Sequence, residues 1–164
     1  MPPSAAENTT RIRNALLRWY RATARPFPWR TATPNPYVVL VSECMLQQTQ
    51  ASRIAERLPL FLEQFPTLPH LAAASNSQMI RAWRGLGYNS RALRLRDAAR
   101  AIVERHDGVV PSSIETLRAL PGLGPYTAAA IACFAYGKRV VVMDVNVRRV
   151  YSRLAVQQVL TSDV

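Results

Sequence analysis

Apolar side chains recur at three- and four-residue intervals through most of the chain, and the pattern breaks wherever proline or glycine intervenes. Met1 to Asn8 reads as a frayed end. From about Thr9 to Thr23, Ile12, Leu16, Trp19 and Tyr20 share one face of an amphipathic helix. Arg25-Pro-Phe-Pro-Trp-Arg30 is excluded from helix, because each proline restricts itself and its predecessor, and Pro34-Asn-Pro36 prolongs that loop. Tyr37 to about Gln47 is apolar on nearly every side, as in a mostly buried helix. A second helix follows from about Gln50 to Gln64 and closes before Pro66. Ser75-Asn-Ser-Gln78 has the form of a capping box, leading into a short helix with Met79, Ile80 and Trp83. Gly85-Leu-Gly-Tyr-Asn89 breaks it, and Arg91 to Glu104 forms another helix that Asp107-Gly108 ends. Ser112-Ser-Ile-Glu115 is a second capping box, opening a helix through about Leu120. Pro121-Gly-Leu-Gly124 is a turn, and Pro125 suits the first position of a helix running to about Tyr136 and stopping at Gly137. Val140 to Met143 spells a strand but has no partner strand, so it reads as a short buried connection before a final helix near Asp144. The fold class expected is all-α, without internal repeats.

Composition narrows the partners. Hydrophobic residues make up 49% of the 164 residues, enough for a core. The net charge is +11, from 21 basic and 10 acidic residues, and Lys138 is the only lysine. A high-GC coding bias accounts for arginine replacing lysine but not for the excess of charge. Arginine's planar fork suits phosphate oxygens, so a polyanion is the expected partner. The basic residues are dispersed rather than set beside one apolar face, which disfavours a membrane surface. No apolar run reaches the ~18 residues that span a bilayer, and residues 1–10 lack the order of a secretory signal. Cys44 and Cys133 are far apart and fall in helical patterns, so buried free thiols in a reducing cytosol are expected. Neither His70 nor His106 has a partner at ligand spacing, and no metal site is expected.

Three segments carry candidate chemistry. Leu120-Pro-Gly-Leu-Gly-Pro-Tyr-Thr-Ala128 sets glycines where the backbone must turn tightly and meet a ligand closely. The amides around Gly122 and Gly124 then open a helix N-terminus, where an anion is favoured. Glu43 lies in Val41-Ser-Glu-Cys-Met-Leu-Gln-Gln-Thr49, among Val39, Leu40, Val41, Met45 and Leu46. An apolar setting raises a carboxyl's pKa toward neutrality. Asp144, in Val142-Met-Asp-Val-Asn-Val-Arg-Arg149, starts a helix, where the dipole favours an ionised carboxylate. A lone buried glutamate is commonly half of a core ion pair; a second carboxyl in its own motif shifts the reading to catalysis.

In their order and spacing, Phe27-Pro-Trp-Arg30, Ser42-Glu-Cys-Met-Leu-Gln-Gln-Thr49, Gly85-Leu-Gly-Tyr88, Leu120-Pro-Gly-Leu-Gly-Pro-Tyr-Thr127 and Asp144-Val-Asn-Val-Arg-Arg149 resemble the helix-hairpin-helix, Gly/Pro-rich, Asp superfamily of base-excision DNA glycosylases. The Met-Leu-Gln-Gln-Thr run is most similar to the adenine DNA glycosylase (MutY) branch. The resemblance covers about residues 11–156. It implies two helical lobes with the active site in the cleft and the hairpin at about 112–136. Residues 1–30 would be a tail, helix and loop packing on the second lobe, and residues 31–164 the catalytic region. It further implies that Glu43 protonates adenine at N7 and that Asp144 stabilises an oxocarbenium-like sugar, with Tyr126 and Asn146 in support. Relatives that nick the backbone carry a lysine at the Tyr126 position, so this chain is expected to hydrolyse the sugar–base bond and leave the strand intact. Gln48 and Tyr88 match positions that fill the stack vacated by an extruded base. Thr49, Gly122, Gly124 and Arg148 would also meet DNA, and Arg30 would touch either the base edge or a phosphate.

The partner implied is a mismatched DNA duplex met by a monomer in the cytoplasm, or at the nucleoid in a prokaryote, with a monovalent cation at the hairpin. Longer relatives carry a four-cysteine [4Fe–4S] cluster and a C-terminal domain for 8-oxoguanine. Two cysteines cannot ligate such a cluster, so the resemblance implies either a fragment or truncated product, or a minimal form, marginally stable, whose Ile12, Leu16 and Trp19 are left partly uncovered. Asn89-Ser90 departs from the adenine pattern, which usually has a second aromatic after Tyr88, and resembles the thymine-glycol branch. Two rival readings stand beside the adenine one. They are a thymine or uracil mismatch glycosylase, and a DNA-binding fragment without catalysis.

Overall fold

The computed structural model describes the backbone of residues 5–162 and the side chains of residues 7–154. The described residues are helical throughout, with no strand: α1 Ala5–Thr23, α2 Pro36–Leu46, α3 Ala51–Gln64, α4 Leu68–Ala73, α5 Asn76–Ala82, α6 Ser90–Arg105, α7 Ile114–Arg118, α8 Pro125–Tyr136 and α9 Val145–Ser162. They form two compact units. One comprises Pro28–Met143; the other, Met1–Phe27 with Asp144–Val164.

Within Pro28–Met143, α2 is the central element and packs against α3, α6 and α8, while α4 and α5 lie on α6. The start of α2 is fixed locally, since the Asn35 side chain accepts from the amides of Tyr37 and Val38 and Pro36 takes the first turn. Leu40 and Met45 of α2 are fully buried with Ile54, Leu58 and Phe61 of α3 and Ile131 of α8. Trp83, also fully buried, meets Phe61 edge to face at 5.9 Å. Its indole N–H donates to the Gly87 carbonyl at 3.1 Å, so the ring is buried without an orphaned donor. The capping box at Ser75 forms as expected, with Gln78 returning the bond.

Five sequence expectations need correction. Residues Ala5–Asn8 belong to α1 rather than to a frayed end. The six-residue α4, with Pro69 in its first turn, was not anticipated, being too short to show a period. The cap of α7 is Ser113, which accepts from the Thr116 amide and donates to Glu115 at 2.6 Å. Pairing Ser112 with Glu115 put the helix start one residue early. Val140–Met143 is a non-helical connection as expected but is not buried: Val141 is 74% exposed, and Val140 and Val142 are half-buried. Cys44 is buried, but Cys133 is only half-buried.

Several arginines also serve the fold itself. Arg100 donates to the Ala72 carbonyl at 2.8 Å, Arg53 to Gly85 at 3.2 Å, Arg57 to Ala82 at 3.4 Å and Arg91 to a set of loop carbonyls. Arg96 bonds Asn76 and pairs with Asp97 at 2.8 Å. Of these, Arg100 and Arg57 satisfy carbonyls in the last turns of α4 and α5.

The second unit has a different character. Leu16, Leu17, Trp19 and Tyr20 of α1 are 45–63% exposed, and Val145, Val147, Val150 and Tyr151 of α9 are 47–68% exposed; Ile12 is half-buried. Among the described residues no helix is long and apolar enough to cross a membrane.

Candidate active site

Glu43 sits one turn from the end of α2 and is 6% exposed, between the buried side chains of Ser42 and Cys44. Burial disfavours its charged form and raises its pKa from 4.5 to about 7, while the nearby Arg30 guanidinium pulls the other way. The expectation of a carboxyl carrying a proton near neutrality thus has its physical cause in the apolar packing of α2. Cys44 beside it is raised to about 12, by burial first and by the Glu43 charge second, which leaves the thiol unreactive.

The chain leaving α2 is tied to α8, where the Gln47 side-chain amide donates to the Thr127 hydroxyl at 3.2 Å. Tyr126 precedes Thr127 in the first turn of α8 and is 38% exposed. No side chain caps the N-terminus of α8, which begins after Gly124. The two hairpin glycines meet different requirements. Gly122 has φ +77°, and a Cβ there would lie 2.7 Å from the Cβ of Arg94 on α6. Gly124 has an ordinary φ of −75°, and a Cβ there would meet nothing within 4 Å.

Gln48 and Tyr88 both project from loops in the left-handed region, with φ 58° and 48°, and Tyr88 is 66% exposed. Thr49 is half-buried, its hydroxyl 3.4 Å from the Leu86 carbonyl and 3.1 Å from Arg91. That geometry joins one loop to the other. Sequence reasoning missed Arg91. Its partners are largely main-chain carbonyls, which leave no trace in side-chain chemistry, so a motif search has nothing to find.

Asp144 belongs to the other compact unit. As the N-cap of α9, it accepts from the Val147 amide at 2.6 Å and from the Asn146 side chain at 3.4 Å. Its carbonyl takes the first helical bond, from the Arg148 amide at 3.0 Å. Asn146, expected to support Asp144, thus lies against its carboxylate. Arg148 is exposed.

Among the described residues no group of three His, Cys, Asp or Glu side chains is placed to hold a metal ion. Two cysteines do not fit a four-thiolate iron–sulfur cluster.

Comparison with known proteins adds to this geometry. The chain is 49% identical over 138 residues to an adenine DNA glycosylase of Mycobacterium tuberculosis (strain ATCC 25618 / H37Rv), covering 84% of this chain and 45% of that protein. It is 42% identical over 153 residues to the adenine DNA glycosylase of Homo sapiens, covering 88% and 28%. The chain thus spans less than half the length of these relatives. Its fold is similar to that of a thermostable thymine-DNA glycosylase, with TM-score 0.80, 28% identity and 87% and 66% coverage. It is also similar to endonuclease III in a non-covalent DNA complex, with TM-score 0.76, 22% identity and 89% and 68% coverage. Residues 41–159, from the first residues of the glutamate motif into α9, match the family described as HhH-GPD superfamily base excision DNA repair protein. On the strength of that match the chain belongs to the HhH-GPD superfamily.

Proposed function

We propose that this chain carries the catalytic region of a monofunctional adenine DNA glycosylase, acting on adenine opposite 8-oxoguanine or guanine in duplex DNA. The observation that carries the reading is Glu43, a carboxyl held nearly out of water with its pKa raised to about 7. A group so poised is an effective general acid at neutral pH. The names of the relatives favour adenine as the base released.

In this reading the Glu43 carboxyl gives its proton to N7 of adenine, and the C1′–N9 bond breaks with its electron pair leaving on the base. The cationic sugar is stabilised by the Asp144 carboxylate, which Asn146 and the Val147 amide orient. Water then adds at C1′ and returns a proton to Glu43, leaving an abasic site in an unbroken strand. Tyr126 offers a hydroxyl in place of an amine, so no Schiff base forms. Gln48, Thr49, Tyr88, Arg30, Arg148 and the amides around Gly122 and Gly124 hold the DNA; the hairpin carbonyls would hold a monovalent cation, which would supply positive charge toward the backbone.

Single-turnover assays on A:8-oxoguanine, A:G, T:G and U:G duplexes test the proposal. Adenine release is expected to be fastest, with strands cleaved only after hot alkali and no adduct trapped by borohydride. Preferential release of thymine or uracil would establish the rival that the thymine-DNA glycosylase fold admits. Binding without release of any base would mark a DNA-binding module.

A further inference from the structure

We infer that Arg91 is a positioning residue that locks the Gln48 and Tyr88 loops into one rigid pair. The inference rests on the glycosylase reading for its purpose but not for its geometry. Gln48 and Tyr88 are two of only three non-glycine residues with positive φ among the described residues. L-residues adopt that backbone at a cost and keep it only where surrounding contacts enforce it. One guanidinium supplies the contacts at both places.

Nη1 of Arg91 donates to the Gln47 carbonyl, in the peptide that leads into Gln48, and to the Met45 carbonyl at 3.0 Å. Nη2 donates to the Gly87 carbonyl at 3.1 Å, in the peptide that leads into Tyr88, and to Leu86 at 2.8 Å. Each left-handed residue is therefore gripped at the peptide immediately before it, by opposite prongs of the same fork. The guanidinium carbon also lies 5.5 Å from the Trp83 ring centroid and 5.6 Å from that of Tyr88. Both terminal nitrogens are engaged by the protein, so Arg91 is not arranged as a phosphate contact. A lysine keeps the charge but cannot span two loops with a planar fork. Fixing the two side chains relative to each other before DNA arrives means that a duplex meets a preformed double wedge instead of ordering two loops separately.

The test compares Arg91→Lys and Arg91→Met with the unaltered protein. Without DNA, amide exchange is expected to accelerate about tenfold in both loops together, around Gln48 and around Tyr88, while α8 is unchanged. With a duplex carrying 2-aminopurine opposite 8-oxoguanine, the fluorescence gain that reports extrusion is expected to fall about tenfold. The salt dependence of duplex binding stays at the unaltered value, because no phosphate contact is lost. In a Gln48→Ala/Tyr88→Ala background, Arg91→Lys is expected to cost no more than about twofold further, because it acts through those residues. If Arg91→Met does not fold, Arg91→Lys carries the comparison. Loosening of one loop alone, an equal loss of extrusion in both backgrounds, or a salt slope reduced by about one would overturn the inference, the last by making Arg91 a phosphate ligand. If the unaltered protein extrudes no base but both loops loosen together in the variants, the coupling is supported and the glycosylase reading fails.

Discussion

The two carboxyl groups are prepared by opposite means, and each reflects the unit that carries it. Glu43 lies on α2, which packs against α3, α6 and α8 within Pro28–Met143, and its raised pKa follows from the burial that this packing brings. Around Asp144 the work is local: the next few residues supply an amide, a side-chain amide and the start of a helix. A property that arises from packing is lost when the packing loosens anywhere nearby. A cap survives as long as its own turn does. The chemistry of Glu43 is therefore the more fragile of the two, and four experiments can break or sharpen that contrast.

The largest effect is expected on catalysis. Glu43→Gln and Asp144→Asn should each lower single-turnover base release by ~10²–10⁴ while duplex binding persists. Asparagine caps a helix as well as aspartate does, so Asp144→Asn isolates the charge from the fold. Near-normal rates in either variant would remove that residue from the mechanism.

Trp83→Ala should cost ~3–5 kcal/mol in denaturant unfolding, since the ring is fully buried. Trp19→Ala in α1, where the ring is 63% exposed, should stay within ~0.5 kcal/mol. A large loss at Trp19 would show that α1 is covered in solution.

A smaller effect should appear in the pH dependence of stability. The folded pKa of Glu43 lies above its ordinary value of 4.5, at about 7. The folded protein therefore binds the extra proton, and this contribution is complete below pH 4.5 and lost as pH rises through about 7. The decline attributable to Glu43 is ~3 kcal/mol across that window. Glu43→Gln should flatten it, and an unchanged slope would place the buried acid elsewhere.

The smallest effect is that of Asp144→Ala on stability, about 1 kcal/mol for a lost cap. Helix content over α9 is expected to fall in circular dichroism, with no change in the pH slope assigned to Glu43. A shift in that slope would mean the two preparations are not independent.

The regular helices were legible in the sequence because periodicity, caps and glycine stops agree, as at Ser75 and Gly137. Short or irregular stretches were not. Leu68–Ala73 is shorter than two turns, and Val140–Met143 is apolar but has too few neighbours to cover it. For the site, Glu43's burial could be anticipated from the apolar residues around it, and Asp144's cap from its position before a helix. Arg91 could not, because carbonyl acceptors belong to the main chain and every residue has one. Nor could the arginines be divided in advance between those that end helices and those open to a ligand.

The hairpin glycines leave one further consequence, for variation rather than for chemistry. At Gly122 the interior sets the requirement, since any side chain meets both a left-handed backbone and the stem of Arg94. At Gly124 neither applies, and folding alone would admit alanine. A random library screened only for soluble, cooperatively folded protein should keep glycine at 122 and drift at 124. If a screen for duplex binding restores glycine at 124 as well, the difference between the two libraries will trace the surface that DNA approaches, without a structure of the complex.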